Sequence, residues 1–391
     1  MLAHNLAVAQ PWTYDFGTST GTHPTNTVST SFFTSTPSGG GTYRVRTGSA
    51  GGTFILANPG TSLGAATELQ LQASTSTATN KFGIYDWSSP STAAYLKTKI
   101  RTSSSGNGTL CLAIGINTVG NDNNNLTSQY NNAVAFLKIT YASGAISAIQ
   151  RRTSGADNAI TGSGISKDAD QEIEIYANDA SSSTTYYKGG TTYTLNSQQW
   201  DLWVDGTKIS PANGWAKAGS LASGTAISGF GFFAESSASN AAFIYLDNLE
   251  YSNSLPCAPP GTQASSIVLS GITSSAMDVN WTNGNGAGRV VYMNTSNSFT
   301  SPTDGTNPTA NLVYGSGQQC IFNGTGNGPI TVTSLSASTQ YYYRVYEYCS
   351  TNRNYQTATA SGNPNNATTL SGGSPTLSAN ALTAFGSQCI A

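Results

Sequence analysis

What this chain has least of is charge. Of its 391 residues, 16 are Lys or Arg and 18 are Asp or Glu, 9% in all, where an average soluble protein carries roughly a quarter. So few cations and a net charge of −2 argue against a phosphate-tracking surface, and nucleic acid is not expected as a partner. Histidine is nearly absent: His4 and His23 are the two. Most serine-triad, zinc-enzyme and His-base chemistry goes with it. No run of eighteen apolar residues occurs, so no membrane insertion is expected.

The five cysteines, Cys111, Cys257, Cys320, Cys349 and Cys389, include no C-x-x-C pair, which speaks against zinc and against a thioredoxin-type motif. Cys320 and Cys349 are the expected bridge, with Cys257 able to compete for either. Cys389 lies two residues from the end, and a partner further downstream would explain it.

What the chain has in their place is hydroxyl and amide. Ser and Thr make up roughly a quarter of it, with 42 Gly and 20 Tyr, a composition that reads as all-β and extracellular or cell-surface. Residues 1–9 end in Ala7-Val8-Ala9, which fits the small-residue rule of a signal-peptidase site and reads as a residual export leader. A proline-rich hinge follows at 255–262, where Leu255-Pro256-Cys257-Ala258-Pro259-Pro260-Gly261 can continue neither a helix nor a central strand. Ser371-Gly372-Gly373-Ser374-Pro375 is a flexible linker.

Between leader and hinge, residues 10–254 alternate apolar and polar side chains in short runs. Ala94 to Arg101, Ala135 to Tyr141 and Glu172 to Tyr176 are the clearest, each bounded by Gly, Asn or Ser. That period of two predicts strands with one face in a core, and a chain of this length built so is a two-sheet sandwich. Trp200-Asp201-Leu202-Trp203-Val204-Asp205-Gly206-Thr207-Lys208-Ile209 resembles the strand, Asp-Gly turn, strand hairpin of concanavalin-like and laminin-G-like jelly rolls. Gly229 to Phe233 and Phe243 to Tyr251 resemble the closing strands of bacterial jelly-roll modules.

Residues 263–370 resemble a fibronectin type III domain. Met277 to Thr282 carries a core tryptophan, Trp281, and Leu335 to Tyr346 is similar to a tyrosine corner and its strand. The stretch from Asn294 to Gly328, rich in Asn, Gly and Thr, departs from that pattern and leaves the middle strands open. Residues 371–391 read as the linker and the first strand of a truncated third β unit, since so short a piece buries no core. The module order resembles that of large exported bacterial surface proteins and hydrolases.

Four sets of residues are candidates for chemistry. Trp87, Trp215, Tyr85 and Tyr130 are aromatics among amides, and such rings stack on the apolar faces of sugars. Trp87 and Trp215 sit in loop-like contexts. Glu172 and Glu174, in Lys167 to Glu174, share one strand face if the strand starts near Gln171, about 6.7 Å apart at their α-carbons, a spacing open to glycosidic hydrolysis. The bland reading has Ile173 and Ile175 facing the core and the glutamates facing water. Tyr95, Lys97, Lys99 and Arg101 form a row that could meet an anionic polysaccharide or simply be a solvated face. For metal, Asn121 to Asn125 lacks the Gly and Glu of an EF-hand loop, whereas the jelly-roll resemblance implies a structural calcium at Asp247 with a partner such as Asp15. Sequons at Asn107, Asn125, Asn280, Asn294, Asn323 and Asn366 are expected by chance in so Thr-rich a chain.

The leading expectation is a non-catalytic, secreted segment of a modular protein that binds a polysaccharide or surface glycan in adhesion, with the fibronectin-like unit as spacer. The alternatives are a jelly-roll glycoside hydrolase using Glu172 and Glu174, and an inert stalk beside a catalytic module elsewhere.

Overall fold

The computed structural model describes residues 12–23, 28–33, 41–48, 51–58, 63, 67–75, 79–121, 129–235, 238–350 and 352–373. The leader, His4, Asp122 to Asn125, Cys389 and the third β unit expected from Pro375 lie outside them. The chain divides into two compact units between Ala258 and Pro259. Among the described residues no helix is long and apolar enough to cross a membrane.

The first unit is a β-sandwich of two large sheets. One contains β1 (Trp12–Tyr14), β2 (Gly21–His23), β5 (Phe54–Ala57), β6 (Glu68–Gln72), β8 (Ala93–Ser104), β13 (Gln171–Asn178), β16 (Gln199–Val204), β17 (Thr207–Lys208), β18 (Trp215–Ala216) and β20 (Ala242–Ser252). Its order is β17-β16-β13-β8-β20-β6-β5-β2, with β1 on β20 and β18 on β16. The other contains β3 (Val28–Ser29), β4 (Thr42–Arg46), β7 (Thr79–Tyr85), β9 (Gly108–Gly115), β10 (Ala133–Ala142), β11 (Ala145–Thr153), β12 (Ala156–Ala159) and β19 (Gly229–Glu235), in the order β12-β11-β10-β9-β19-β7-β4-β3. A separate hairpin, β14 (Thr184–Lys188) and β15 (Thr191–Leu195), pairs with itself alone.

One core joins the inner faces. Leu96, Ile100, Ile173, Ile175, Trp200, Leu202, Ile244 and Leu246 of the first sheet belong to the same buried cluster as Phe82, Ile84, Leu110, Leu112, Leu137, Ile139, Phe230 and Phe232 of the second. Each such side chain contributes roughly 1.5–3 kcal/mol by leaving water, which fixes the register: a slip of one residue would turn the whole inner row outward. The Asp-Gly hairpin forms as its sequence predicts. Asp205 and Gly206 sit at φ of 46° and 74°, the two left-handed positions that a tight two-residue turn needs and that glycine adopts without strain.

The second unit is a smaller sandwich. β21 (Ser265–Ser270), β22 (Met277–Thr282) and β25 (Ile330–Val332) form one sheet, and β24 (Gln319–Gly324), β23 (Gly288–Asn294), β26 (Gln340–Tyr348) and β27 (Asn365–Thr368) the other. Trp281 is buried at 4% exposure. The tyrosine corner is present, with the Ser336 amide donating to the Tyr341 hydroxyl at 2.9 Å. The middle strand that the sequence left open is β24, paired to β23 with a register shift between Val291 and Tyr292.

The cysteine expectation needs correcting. Cys320 is a free, buried thiol, and among the described residues Cys257 and Cys349 are each disulfide-bonded. Cys320 on β24 is packed among Val290, Tyr346, Tyr348 and Tyr355, and its thiol donates to the Phe322 carbonyl at 3.2 Å.

Candidate functional site

The outer face of the first sheet carries the polar chemistry. On β8, Leu96, Thr98 and Ile100 point into the core, so Tyr95, Lys97, Lys99 and Arg101 stand together on the other face. β13 starts at Gln171, and Ile173 and Ile175 point inward, so Glu172 and Glu174 face out. Pairing sets Glu174 opposite Lys97 and Glu172 opposite Lys99. From the other side β20 places Asp247 opposite Lys99 and Glu250 opposite Lys97. Three steps along β20 thus span two of β8, a bulge that Asn248 accommodates at φ 49°. Beyond the bulge β1 takes over the edge of β20, with Thr13 opposite Glu250.

At this bulge lies a cleft of about 280 Å3 lined by Asp15, Lys97, Lys99, Glu172, Asn248 and Glu250, with Thr13, Tyr14 and Leu249 completing it. Its size is near the lower end for small-molecule sites. Lys97 binds Glu172 at 3.1 Å. Burial opposes the charge on Lys97, but the hydrogen bond to Glu172 and the carboxylates of Glu172, Glu174 and Glu250 outweigh it and raise its pKa. Arg101 is saturated by Glu68 at 2.9 Å, Asp170 at 2.8 Å and the face of Tyr245 at 4.5 Å. Lys99 and Glu250 differ: neither side chain has a hydrogen bond or ion pair among the described residues. Burial raises the carboxyl of Glu250, Lys97 opposes the rise, and Glu174 and Glu172 add to it.

Glu174 does not belong to this cleft, contrary to the expectation that both glutamates face water or act as a pair. It is 3% exposed, because the β14–β15 hairpin covers that part of the sheet. Lys188 of the hairpin pairs with it, and the Tyr176 hydroxyl donates to it at 2.6 Å. Tyr186 of the hairpin stacks on Tyr176 at 3.9 Å, donates to Asp201 at 2.7 Å and accepts from the Trp203 indole at 2.9 Å. Burial drives the pKa of both tyrosines up, reinforced by the carboxylates beside them.

The four aromatic candidates occupy separate settings, none of them in the cleft. Trp87 is a core residue at 3% exposure, packed on Trp12 at 6.0 Å and Tyr251 at 5.4 Å. Its loop bends at Asp86 and Ser89, both with φ near 55°, and this tucks the indole inside. Tyr85, at 7% exposure, is covered by the short helix Asn117–Asn121, whose Gly120 lies against it. Tyr130 and Trp215 are half-buried. Each already lies under a guanidinium, Arg152 at 4.1 Å and Arg151 at 5.5 Å.

Asp15 and Asp247 are brought within electrostatic reach. Burial lifts the Asp247 carboxyl to about 6, Asn248 lowers it through its amide, and Asp15 and Glu68 raise it further. Asp15 accepts from the Gly17 amide at 3.0 Å, and Asp247 from the Asn248 amide at 2.7 Å. Calcium takes six to eight oxygens. Among the described residues no group of three or more His, Cys, Asp or Glu is placed to hold a metal.

Glu250 and Asn248 are the site residues that sequence reading missed. Their signal is a broken alternation: Ile244 and Leu246 are two apart, but the next inward residue is Leu249, and the odd step marks the bulge.

No family model and no curated protein matches this sequence. Among solved structures, the chain is similar to the cellulose-induced protein Cip1, at 12% identity over 53% of this chain and 89% of that one, with a TM-score of 0.33. It is similar to the carbohydrate recognition domain of Emp47p at 10% identity, covering 60% and 95%, TM-score 0.31. A fibronectin type III domain of the human fibronectin type III domain containing protein 3 matches at 20% identity, covering 32% and 98%, TM-score 0.21.

Proposed function

We propose that the first unit recognises a polysaccharide or surface glycan in the cleft between β13, β8, β20 and β1, and that the chain is a segment of a secreted, modular cell-surface protein in which the fibronectin-like unit is a spacer. One observation carries the reading. Lys99 and Glu250, two polar groups without hydrogen-bonded partners among the described residues, line the same open cleft. A polyhydroxylated ligand satisfies both at once, because each sugar hydroxyl donates and accepts. Thr13 and Asn248 add neutral hydroxyl and amide groups of the kind that orient a sugar. A surface solvated by Ser and Thr, poor in charge, fits a protein that meets uncharged polymers outside the cell.

Affinity electrophoresis of the full chain in gels containing barley β-glucan, xylan, carboxymethylcellulose or polygalacturonate tests this. Retardation by at least one polymer is expected, lost in Lys99→Met and Asn248→Ala and kept in Trp215→Ala. Loss in Trp215→Ala with the cleft variants unaffected would move the site to the sheet edge and overturn the reading.

A further inference from the structure

Of the three carboxyl groups that line the cleft, those of Asp15, Glu172 and Glu250, the last two stand on opposite sides of β8 in unlike surroundings. Glu172 is anchored: its side chain binds Lys97 at 3.1 Å, its amide donates to the Asp205 carboxylate at 2.8 Å, and its carbonyl accepts from the Asp205 amide at 2.8 Å. The Asp-Gly turn therefore fixes where Glu172 stands. Glu250, on the far side of Lys97, has no such partner. Desolvation makes it hold its proton more tightly than an ordinary glutamate. An ion-paired carboxylate and an unpaired, desolvated carboxyl in one cleft are the two groups that acetal hydrolysis requires.

We propose that the cleft hydrolyses a glycosidic bond of the polymer it binds, with Glu250 as general acid and Glu172 as general base. The inference rests on the glycan reading above and replaces the Glu172 and Glu174 pair expected from sequence, since Glu174 is sealed beneath the hairpin. The bond from the anomeric carbon to the glycosidic oxygen breaks, its electron pair stays on that oxygen, and the oxygen takes the proton of Glu250. Water attacks the anomeric carbon from the other face and gives a proton to Glu172, and exchange with solvent restores both groups. The strands flanking β8 stand roughly 10 Å apart, two inter-strand spacings. Backbones so spaced allow the two carboxyls the separation of about 6.5–9.5 Å that inverting enzymes use. Lys97, between them, is a positioning residue that holds Glu172. Lys99, Thr13 and Asn248 hold sugar hydroxyls.

The test uses the full chain and whichever polymer retards it. Reducing ends are expected to accumulate, with activity falling on the alkaline side as Glu250 ionises, and proton NMR should find the new anomeric centre inverted. Glu250→Gln and Glu172→Gln should each lower the rate about a hundred- to ten-thousand-fold; gel retardation should persist in Glu172→Gln, and an unchanged urea midpoint certifies that both variants fold. Trp215→Ala should cleave at the wild-type rate. A polymer that is retained but never cleaved overturns the hydrolytic proposal and leaves the binding reading standing. So does a Glu250→Gln protein as active as wild type. Product of retained configuration removes Glu172 as base. If no polymer is retained, the binding reading fails and this proposal fails with it.

Discussion

Glu347 is fully buried in the second unit and survives there because it is completely partnered. Arg289 meets it with Nε at 2.8 Å and Nη2 at 3.1 Å, and the amides of Gly284 and Gly286 donate to it at 2.9 and 3.0 Å. The same guanidinium donates to the carbonyls of Thr325 and Gly326, so one arginine ties two loops to the β23–β26 pair. Arg289→Met should cost about 3–5 kcal/mol by stranding the carboxylate, read as a lower urea midpoint. At the same scale, burial raises the thiol of Cys320 to about 11 and drives that of Cys111 up. Peptide mapping after maleimide treatment should find both unlabelled in the native chain and labelled once it is unfolded. Single residues were the hardest thing to read from sequence. Trp87 reads as a binding candidate because Asp, Ser and Pro give it a loop-like context, yet those residues make the bend that buries it.

Among the elements, the β14–β15 hairpin does most to define the site. It forms no ladder with either large sheet and is held by the Tyr176–Tyr186 stack, the Lys188–Glu174 pair, Asp201 beneath Tyr186 and the Tyr187 amide on the Pro256 carbonyl. Tyr186→Ala should lose about 3–5 kcal/mol as a large buried aromatic, with hydrogen exchange accelerating first across Thr184 to Leu195. Equal acceleration throughout the sandwich would mean that the hairpin is not a separately held piece. Alternation made β8 and β13 legible down to the starting residue Gln171, and the Asp-Gly pair made the β16–β17 turn legible. Where the hairpin would lie was not legible, since no local pattern records that Tyr186 folds back onto Tyr176. The cleft was half legible: the Lys97 and Lys99 row followed from period two, whereas Glu250 required noticing one extra residue in β20.

Over the whole first unit, buried acids set the response to pH. Burial raises Glu68, Asp179 and Glu250, and brings Asp247 to about 6 from 3.8. A carboxyl with a higher pKa folded than unfolded binds more protons in the native state between the two values. Its stabilisation is complete below the unfolded pKa and is lost as pH climbs through the folded one. These four groups therefore favour mild acid, and calorimetry should find the first unit melting higher at pH 5 than at pH 7.5. Asp247→Asn should flatten that slope. An unchanged or opposite slope in the wild-type chain would show that these acids are solvated.

The strand order also governs how the polypeptide comes together in time. β19 and β20 are the last strands of the sandwich to be synthesised, yet each lies mid-sheet, β19 between β9 and β7 and β20 between β8 and β6. Until residue 252 has emerged from the ribosome, each layer exists as two halves with raw edges and nothing to zip them, and such edges invite pairing with other chains. Translation stopped anywhere before Ala242 should therefore yield insoluble product, whereas a chain released after residue 252 should stay in solution.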